Sequence, residues 1–107
     1  MARKITTEAV ASFLNGKAFR CDNTCVEVRP FQCDKEDSVI LVLFGNPIAR
    51  YKVADRVLYV CDGNHQTVTT KDRLNGLPGV SVHQKAGQWY LNGEKWDGYW
   101  TKIGSLQ

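Results

Sequence analysis

Residues 39–60 read VILVLFGNPIARYKVADRVLYV, and this stretch decides the fold. Val39 to Phe44 is apolar at every position, which is typical of a central strand buried on both faces. Gly45-Asn46 is a two-residue turn of the kind that joins hairpin strands. The chain returns from Ile48 to Val53 and then forms a third strand from Val57 to Cys61. Because only short turns separate these strands, they predict an antiparallel meander.

The residues before the meander predict a helix followed by a hairpin. Apolar residues recur at helical spacing from Ile5 to Leu14, and Asn15-Gly16 supplies a left-handed end to that helix. The pattern then changes to short strand-like runs from Ala18 to Cys21 and from Thr24 to Arg29. A short N-terminal helix and a pair of strands are therefore expected ahead of the meander.

A second short helix is expected after the meander, near residues 70–76. Thr69 and Asp72 stand three residues apart and approximate a capping box, in which a hydroxyl and an acid satisfy the first free backbone amides of a helix. Asn75-Gly76 and Pro78-Gly79 then end the helix. The sequence thus places this helix between two groups of strands.

The segment QWYLNGEKWDGYW, residues 88–100, concentrates aromatic residues around Asn92-Gly93. This pair favours a type I′ turn, because both central positions of that turn need positive φ. Strands are expected from Val80 to Gln84, from Gln88 to Leu91, and from about Lys95 towards Ile103.

Alternation along these strands separates the aromatic residues. Trp89 and Leu91 share one face of their strand, which predicts that they belong to the core. For Tyr90, Tyr99 and Trp100 the pattern leaves both a buried and an exposed position open.

Together these elements predict a single α+β domain over residues 1–107. Its centre is an antiparallel meander sheet of about six to eight strands. Hydrophobic residues make up 43% of the chain and charged residues 23%, which is ordinary for a globular protein. The longest apolar run is far shorter than the roughly 20 residues of a membrane span, and the N-terminus lacks the apolar region of a secretory signal. We therefore expect a cytoplasmic protein without membrane association.

Patterns for catalysis and metal binding are weak. His65 and His83 each stand alone, and a Cys61–His65 nucleophile pair rests only on proximity in the sequence. Structural thiols are the favoured explanation of the four cysteines, while a zinc site and disulfides stay open. These cysteines are Cys21, Cys25, Cys33 and Cys61. We expect no enzyme activity and no cofactor.

Three longer stretches resemble a family of small uncharacterised proteins encoded by tailed bacteriophages and prophages. They are FGNPIAR at residues 44–50, TTKDRLNGLPGVSVHQK at residues 69–85 and GQWYLNGEKWDG at residues 87–98. The resemblance covers the chain from Leu43 onward. It implies a phage origin and action inside an infected bacterium, and it implies no particular biochemical activity and no catalytic residues.

The favoured hypothesis is a non-catalytic protein that binds and modulates a host or phage protein, of the host-takeover or anti-defence type. Its aromatic residues could form the centre of such an interface. The alternative is a nucleic-acid-binding protein, in which exposed aromatic residues stack on bases beside scattered basic residues. The residues considered for this alternative are Tyr90, Tyr99, Trp100, Arg50, Lys52 and Lys85. The net charge of +3 is mild, and no concentrated basic patch is visible.

For either hypothesis the expected contact surface is the exposed side of the last two strands together with the second helix. The candidate binding residues on it are Lys71, Arg73, His83, Lys85, Tyr90 and Trp100.

Overall fold

The structure is a computed structural model that describes residues 4–31, 33 and 35–106. This part of the chain contains two helices, α1 (Lys4–Leu14) and α2 (Val68–Asn75). It also contains nine strands: β1 (Phe19–Cys21), β2 (Thr24–Pro30), β3 (Asp37–Leu43), β4 (Asn46–Lys52), β5 (Val57–Val60), β6 (Val82–Lys85), β7 (Gln88–Leu91), β8 (Glu94–Lys95) and β9 (Thr101–Ser105).

The strands form two antiparallel sheets. The large sheet has the order β1-β2-β3-β4-β5-β9, and the small sheet has the order β6-β7-β8. The predicted α+β class is confirmed, as are the N-terminal hairpin and the meander through β5. After β5 the chain leaves the large sheet, builds α2 and the small sheet, and returns as β9 beside β5.

The main core lies on one face of the large sheet, under both helices and the small sheet. On β3, alternate residues from Val39 to Leu43 point into this core. Phe13 of α1 meets Tyr51 of β4 edge to face at 5.0 Å between ring centroids, and the Tyr51 hydroxyl donates to the Phe13 carbonyl at 2.6 Å. From the small sheet Trp89 and Leu91 enter the same core, as alternation predicts.

The opposite side of the large sheet is called here the outer face. Ile40 and Val42 of β3 are buried on it in a second, smaller cluster with Phe31, and the half-buried Trp100 packs against this cluster. Since β3 buries side chains on both faces, the prediction that it is a central apolar strand is confirmed.

Two local predictions are corrected. The tight turn after β3 is formed by Phe44-Gly45, with φ of 51° and 79°, because Asn46 already pairs with Leu43 in the sheet. The N-cap of α2 is Thr67, whose hydroxyl accepts from the Thr70 amide at 3.1 Å, rather than Thr69.

The predicted continuous last strand is also wrong. Its first part is β8 of the small sheet, and its second part is β9 of the large sheet. Residues 96–100 cross between the sheets, and Gly98 in this crossing has a φ of 90°. The type I′ turn at Asn92-Gly93 is confirmed by φ values of 51° and 87°.

Candidate binding groove on the outer face of the large sheet

Arg50 forms the centre of an aromatic cluster on the outer face. The register places it between Ile40 of β3 and Tyr59 of β5. Its guanidinium carbon lies 4.6 Å from the ring centroid of Phe31, 4.7 Å from that of Tyr59 and 5.1 Å from that of Trp100. A cation at these distances is attracted to each ring face. We call these four residues the arginine clamp.

The clamp positions Trp100 over the sheet. The Trp100 and Phe31 rings meet edge to face, with their centroids 5.5 Å apart. The Arg50 Nε is buried and has no hydrogen-bond partner within the described part of the chain. Three segments distant in sequence, around Phe31, Arg50 and Trp100, are therefore held together at one place.

A pocket of about 410 Å³ lies beside the clamp. Its lining consists of Arg29, Phe31, Asn46, Pro47, Cys61, Asp62, Gly63, Asn64, Gly98, Tyr99 and Trp100. A second depression of about 340 Å³ adjoins it, since Arg29 and Pro47 line both. We call the two together the groove. Two exposed rings stand at its rim, with 73% of Tyr99 and 58% of Phe44 accessible to solvent.

The charges along the groove nearly cancel. Its basic side chains are Arg20 and Arg29, and its acidic side chains are Asp22, Glu27 and Asp62. Arg29 Nε donates to Glu27 Oε1 at 2.9 Å across an exposed pair. The formal balance is slightly negative, which disfavours a phosphate backbone as occupant.

One wall of the groove is formed where residues 61–64 meet residues 97–99. The Asp62 amide donates to the Gly98 carbonyl at 2.8 Å, and Asp62 Oδ1 accepts from the Asn64 amide at 2.8 Å. A Cβ at position 98 would overlap the Asp62 carboxylate unless that side chain moved, and the φ of 90° itself favours glycine. Tyr99 follows this contact directly, and its own amide donates to Asp97 Oδ1 at 2.9 Å. The exposed ring is thus carried by a well-bonded backbone.

Cys61 lies at the floor of the groove as a neutral thiol. Its Sγ contacts the Pro47 carbonyl at 3.1 Å, and burial raises the pKa of this thiol to about 11. His65 is exposed, and its backbone amide donates to the Asp62 carbonyl. At neutral pH a thiol in this state is a poor nucleophile.

The prediction that Arg73 is exposed is wrong, because only 2% of this residue is accessible to solvent. Its Nε donates to Thr24 Oγ1 at 2.9 Å, and its Nη1 donates to Thr6 Oγ1 at 2.7 Å and to Asp72 Oδ2 at 2.6 Å. The Thr6 hydroxyl also bonds to Asp72. This buried network joins α2 to α1 and to the start of β2.

The other five predicted residues lie in two places. His83, Lys85 and Tyr90 lie on the small sheet, and Lys71 stands near its β6 edge, with Nζ 5.7 Å from the Trp89 ring centroid. Trp100 lies apart from them in the arginine clamp. The structure therefore divides the predicted surface, and the binding role of these residues stays a prediction.

No pattern in the sequence predicts the groove as a unit. Alternation along β4 places Arg50 on the face opposite Tyr51, and this signal was present in the sequence. No local pattern indicates that Phe31 and Trp100 approach Arg50, because these contacts join segments far apart in the chain. The close passage of Gly98 against Asp62 is equally invisible in the sequence.

The four cysteines are free thiols, of which Cys21 and Cys33 are exposed, Cys25 is half-buried and Cys61 is buried. Within residues 4–31, 33 and 35–106 there is no group of three or more His, Cys, Asp or Glu side chains that could hold a metal ion. Neither helix in the same ranges has the length and apolar character needed to cross a membrane.

The chain matches a protein family over most of its length. The sequence model of a family described as Kyanoviridae Gp96 protein matches residues 2–103, so the match includes the N-terminal part that the motif resemblance left out. No curated protein and no solved structure matches the chain.

Proposed function

This chain belongs to the Kyanoviridae Gp96 protein family, a family of phage proteins, and on that premise we propose that it is a non-catalytic binding protein. Its partner is a protein of the host or of the phage, whose activity it modulates in the cytoplasm of the infected cell. The contact surface is the groove on the outer face of the large sheet.

The observation that carries this proposal is the exposure of aromatic rings at the rim of the groove. Tyr99 is the most exposed large hydrophobic residue of the described chain, and it stands on a fixed wall next to Trp100 and Arg29. Tyrosine, tryptophan and arginine are the residue types that dominate binding energy at protein interfaces. A side chain of the partner that enters the 410 Å³ pocket would be enclosed by such residues.

The arginine clamp supports the same conclusion through rigidity. Binding costs less when the contact surface is already ordered, because fewer side chains lose freedom. The clamp orders Trp100 and Phe31, and the contact between Gly98 and Asp62 orders the backbone that carries Tyr99. The groove is thus ready to receive a partner.

Charge favours a polypeptide over a nucleic acid as the occupant. The groove offers both carboxylates and guanidinium groups, which can pair with the mixed polar groups of a polypeptide. An extended segment with one apolar side chain in the pocket and polar groups along Arg29 and Asp62 fits this lining.

The proposal is tested by site-specific photo-crosslinking in infected host cells or in their lysate. A photoreactive phenylalanine analogue replaces Tyr99 in one protein and Val68 in a control protein. Val68 is also highly exposed, at 69%, but it lies at the start of α2 outside the groove. We expect one discrete crosslinked protein from position 99 and not from position 68.

Affinity measurements with the purified partner complete the test. Tyr99→Ala and Phe44→Ala should each weaken binding by about tenfold or more, whereas Val68→Ala should leave it unchanged. Equal crosslinking from positions 68 and 99, or full affinity in the Tyr99→Ala/Phe44→Ala double variant, would show that the groove is not the interface.

A further inference from the structure

The small sheet presents a second surface with a different chemistry. In its register His83 stands opposite Tyr90, Tyr90 opposite Lys95, and Lys85 opposite Gln88. These five residues alternate with the buried side chains of β6 and β7, so the sheet geometry directs them away from the core. We call this set the small-sheet face.

Two stacked rings form the middle of the small-sheet face. The ring centroids of His83 and Tyr90 are 5.1 Å apart, and the ring planes are nearly parallel, at 7°. His83 is exposed, and Tyr90 is partly exposed. A flat pair of this kind offers one more ring face to a further planar group, and nucleic-acid bases stack on aromatic side chains in this way.

The charge on this face differs from that of the groove. Two of its five positions are lysines, Lys85 and Lys95, and none of the five is a carboxylate. Lys71 lies on the opposite, core-facing side of β6, where its Nζ lies 3.3 Å from Gln84 Oε1 and 5.7 Å from the Trp89 ring centroid, so it does not add to the charge of this face. Near β8, the carboxylates of Glu94 and Asp97 line a depression together with Lys95.

The two lysines of the small-sheet face favour a polyanion as its ligand. Phosphates are attracted to Lys85 of β6 and to Lys95 of β8, the two ammonium groups on this face. The stacked rings neighbour both lysines in the register of the small sheet. A single strand that follows β6 could therefore keep its phosphates near the lysines while one base stacks on the rings.

We propose that the small-sheet face binds single-stranded nucleic acid, with a base stacked on the His83–Tyr90 pair and phosphates held by Lys85. This inference goes beyond the proposed function, because it assigns a second class of ligand to a separate surface. A duplex is a poor ligand for this site, since its bases are already stacked and paired and their faces cannot reach the rings.

The test is fluorescence anisotropy with a fluorescein-labelled single-stranded DNA of about 12 nucleotides at low salt. Tyr90→Ala and His83→Ala should each reduce affinity by about 5- to 150-fold, the usual effect of losing one stacking ring. Tyr99→Ala removes an exposed ring from the groove instead and should leave affinity unchanged. Thermal unfolding verifies that the variants stay folded.

Salt dependence provides a second readout that a merely structural role would not change. Lys85→Ala should lower the slope of log K against log salt by about 0.7, as expected for one lost phosphate contact on a single strand. Lys102→Ala, an exposed lysine of the large sheet, should not alter the slope. The proposal is overturned by no binding up to about 100 μM protein, by equal losses in Tyr90→Ala and Tyr99→Ala, or by a preference for duplex DNA.

Discussion

The outer face of the large sheet and the small-sheet face use aromatic residues in opposite ways. On the large sheet the rings of Phe31, Tyr59 and Trp100 all contact the Arg50 guanidinium. On the small sheet His83 and Tyr90 stack on each other while His83 stays exposed.

This difference shows that the environment of a ring, rather than its type, decides what it can bind. In the arginine clamp the rings contact a cation of the protein itself, whereas a stacked pair without a cover keeps one ring face for a ligand. The groove therefore depends on its exposed rim and its shape, and the small-sheet face depends on its rings and lysines.

The largest loss of stability is expected when the hydrogen bonds that connect α2 to the rest of the protein are removed. Arg73 binds α2 to α1 and β2, and the Asn75 side chain of α2 exchanges two hydrogen bonds with the Val82 backbone of β6, at 2.6 and 2.9 Å. Arg73→Ala should lower the free energy of unfolding by about 3–5 kcal/mol, because Asp72 keeps its charge in a largely buried place without its partner. Urea denaturation measures this loss.

The control for Arg73→Ala lies on the same helix. Lys71→Ala removes a cation that is only half-buried and should change stability by about 0.5 kcal/mol or less. If Arg73→Ala cost no more than that, the network would not be what joins α2 to the rest of the fold.

The second prediction compares the loss of stability when a glycine in each region is replaced by alanine. Gly98→Ala adds a methyl group against the Asp62 carboxylate at a φ of 90° and should cost about 2–5 kcal/mol. Gly87→Ala, in the turn of the small sheet, meets nothing within 4 Å at a φ of 80° and should cost only about 1–2 kcal/mol. Similar midpoints of urea unfolding for the two variants would contradict the close contact that fixes the groove wall.

The smallest losses of stability are expected when one aromatic ring is removed from each region. Trp100→Ala removes a half-buried ring from the arginine clamp and should cost about 2 kcal/mol. Tyr90→Ala removes a partly exposed ring and one stacking contact, so about 0.5–1 kcal/mol is expected. A loss in Tyr90→Ala as large as that in Trp100→Ala would mean that the small-sheet face belongs to the core and is not free for a ligand.

Most of the fold follows from local patterns in the sequence. Apolar alternation, the Asn92-Gly93 turn and the apolar run of β3 each act over a few residues, and the structure has the strands that they predict. The division of the last strand between two sheets could not be foreseen. In the crossing between the two sheets Gly98 packs against Asp62, which is distant in sequence, and no periodic pattern records such a contact.

The candidate sites were less predictable than the fold. Alternation along the strands predicts one shared face for His83, Lys85 and Tyr90, and the register of β6 and β7 has them on one face, while their binding role stays a prediction. The position of Arg73 in the second helix predicts a surface residue, but two hydroxyl groups and one carboxylate accept hydrogen bonds from its buried guanidinium. These partners come from α1, α2 and β2, so only the assembled structure brings them together.

The order of strands in the large sheet also bears on how the molecule is assembled. β5 and β9 are neighbours in space, yet about 40 residues, including α2 and the whole small sheet, lie between them in the chain. Closing a loop of that length costs about 3 kcal/mol of chain entropy before any contact compensates it. The β1–β5 meander can form from near neighbours, so we expect it to appear first during refolding, with the docking of β9 as the late and slow event.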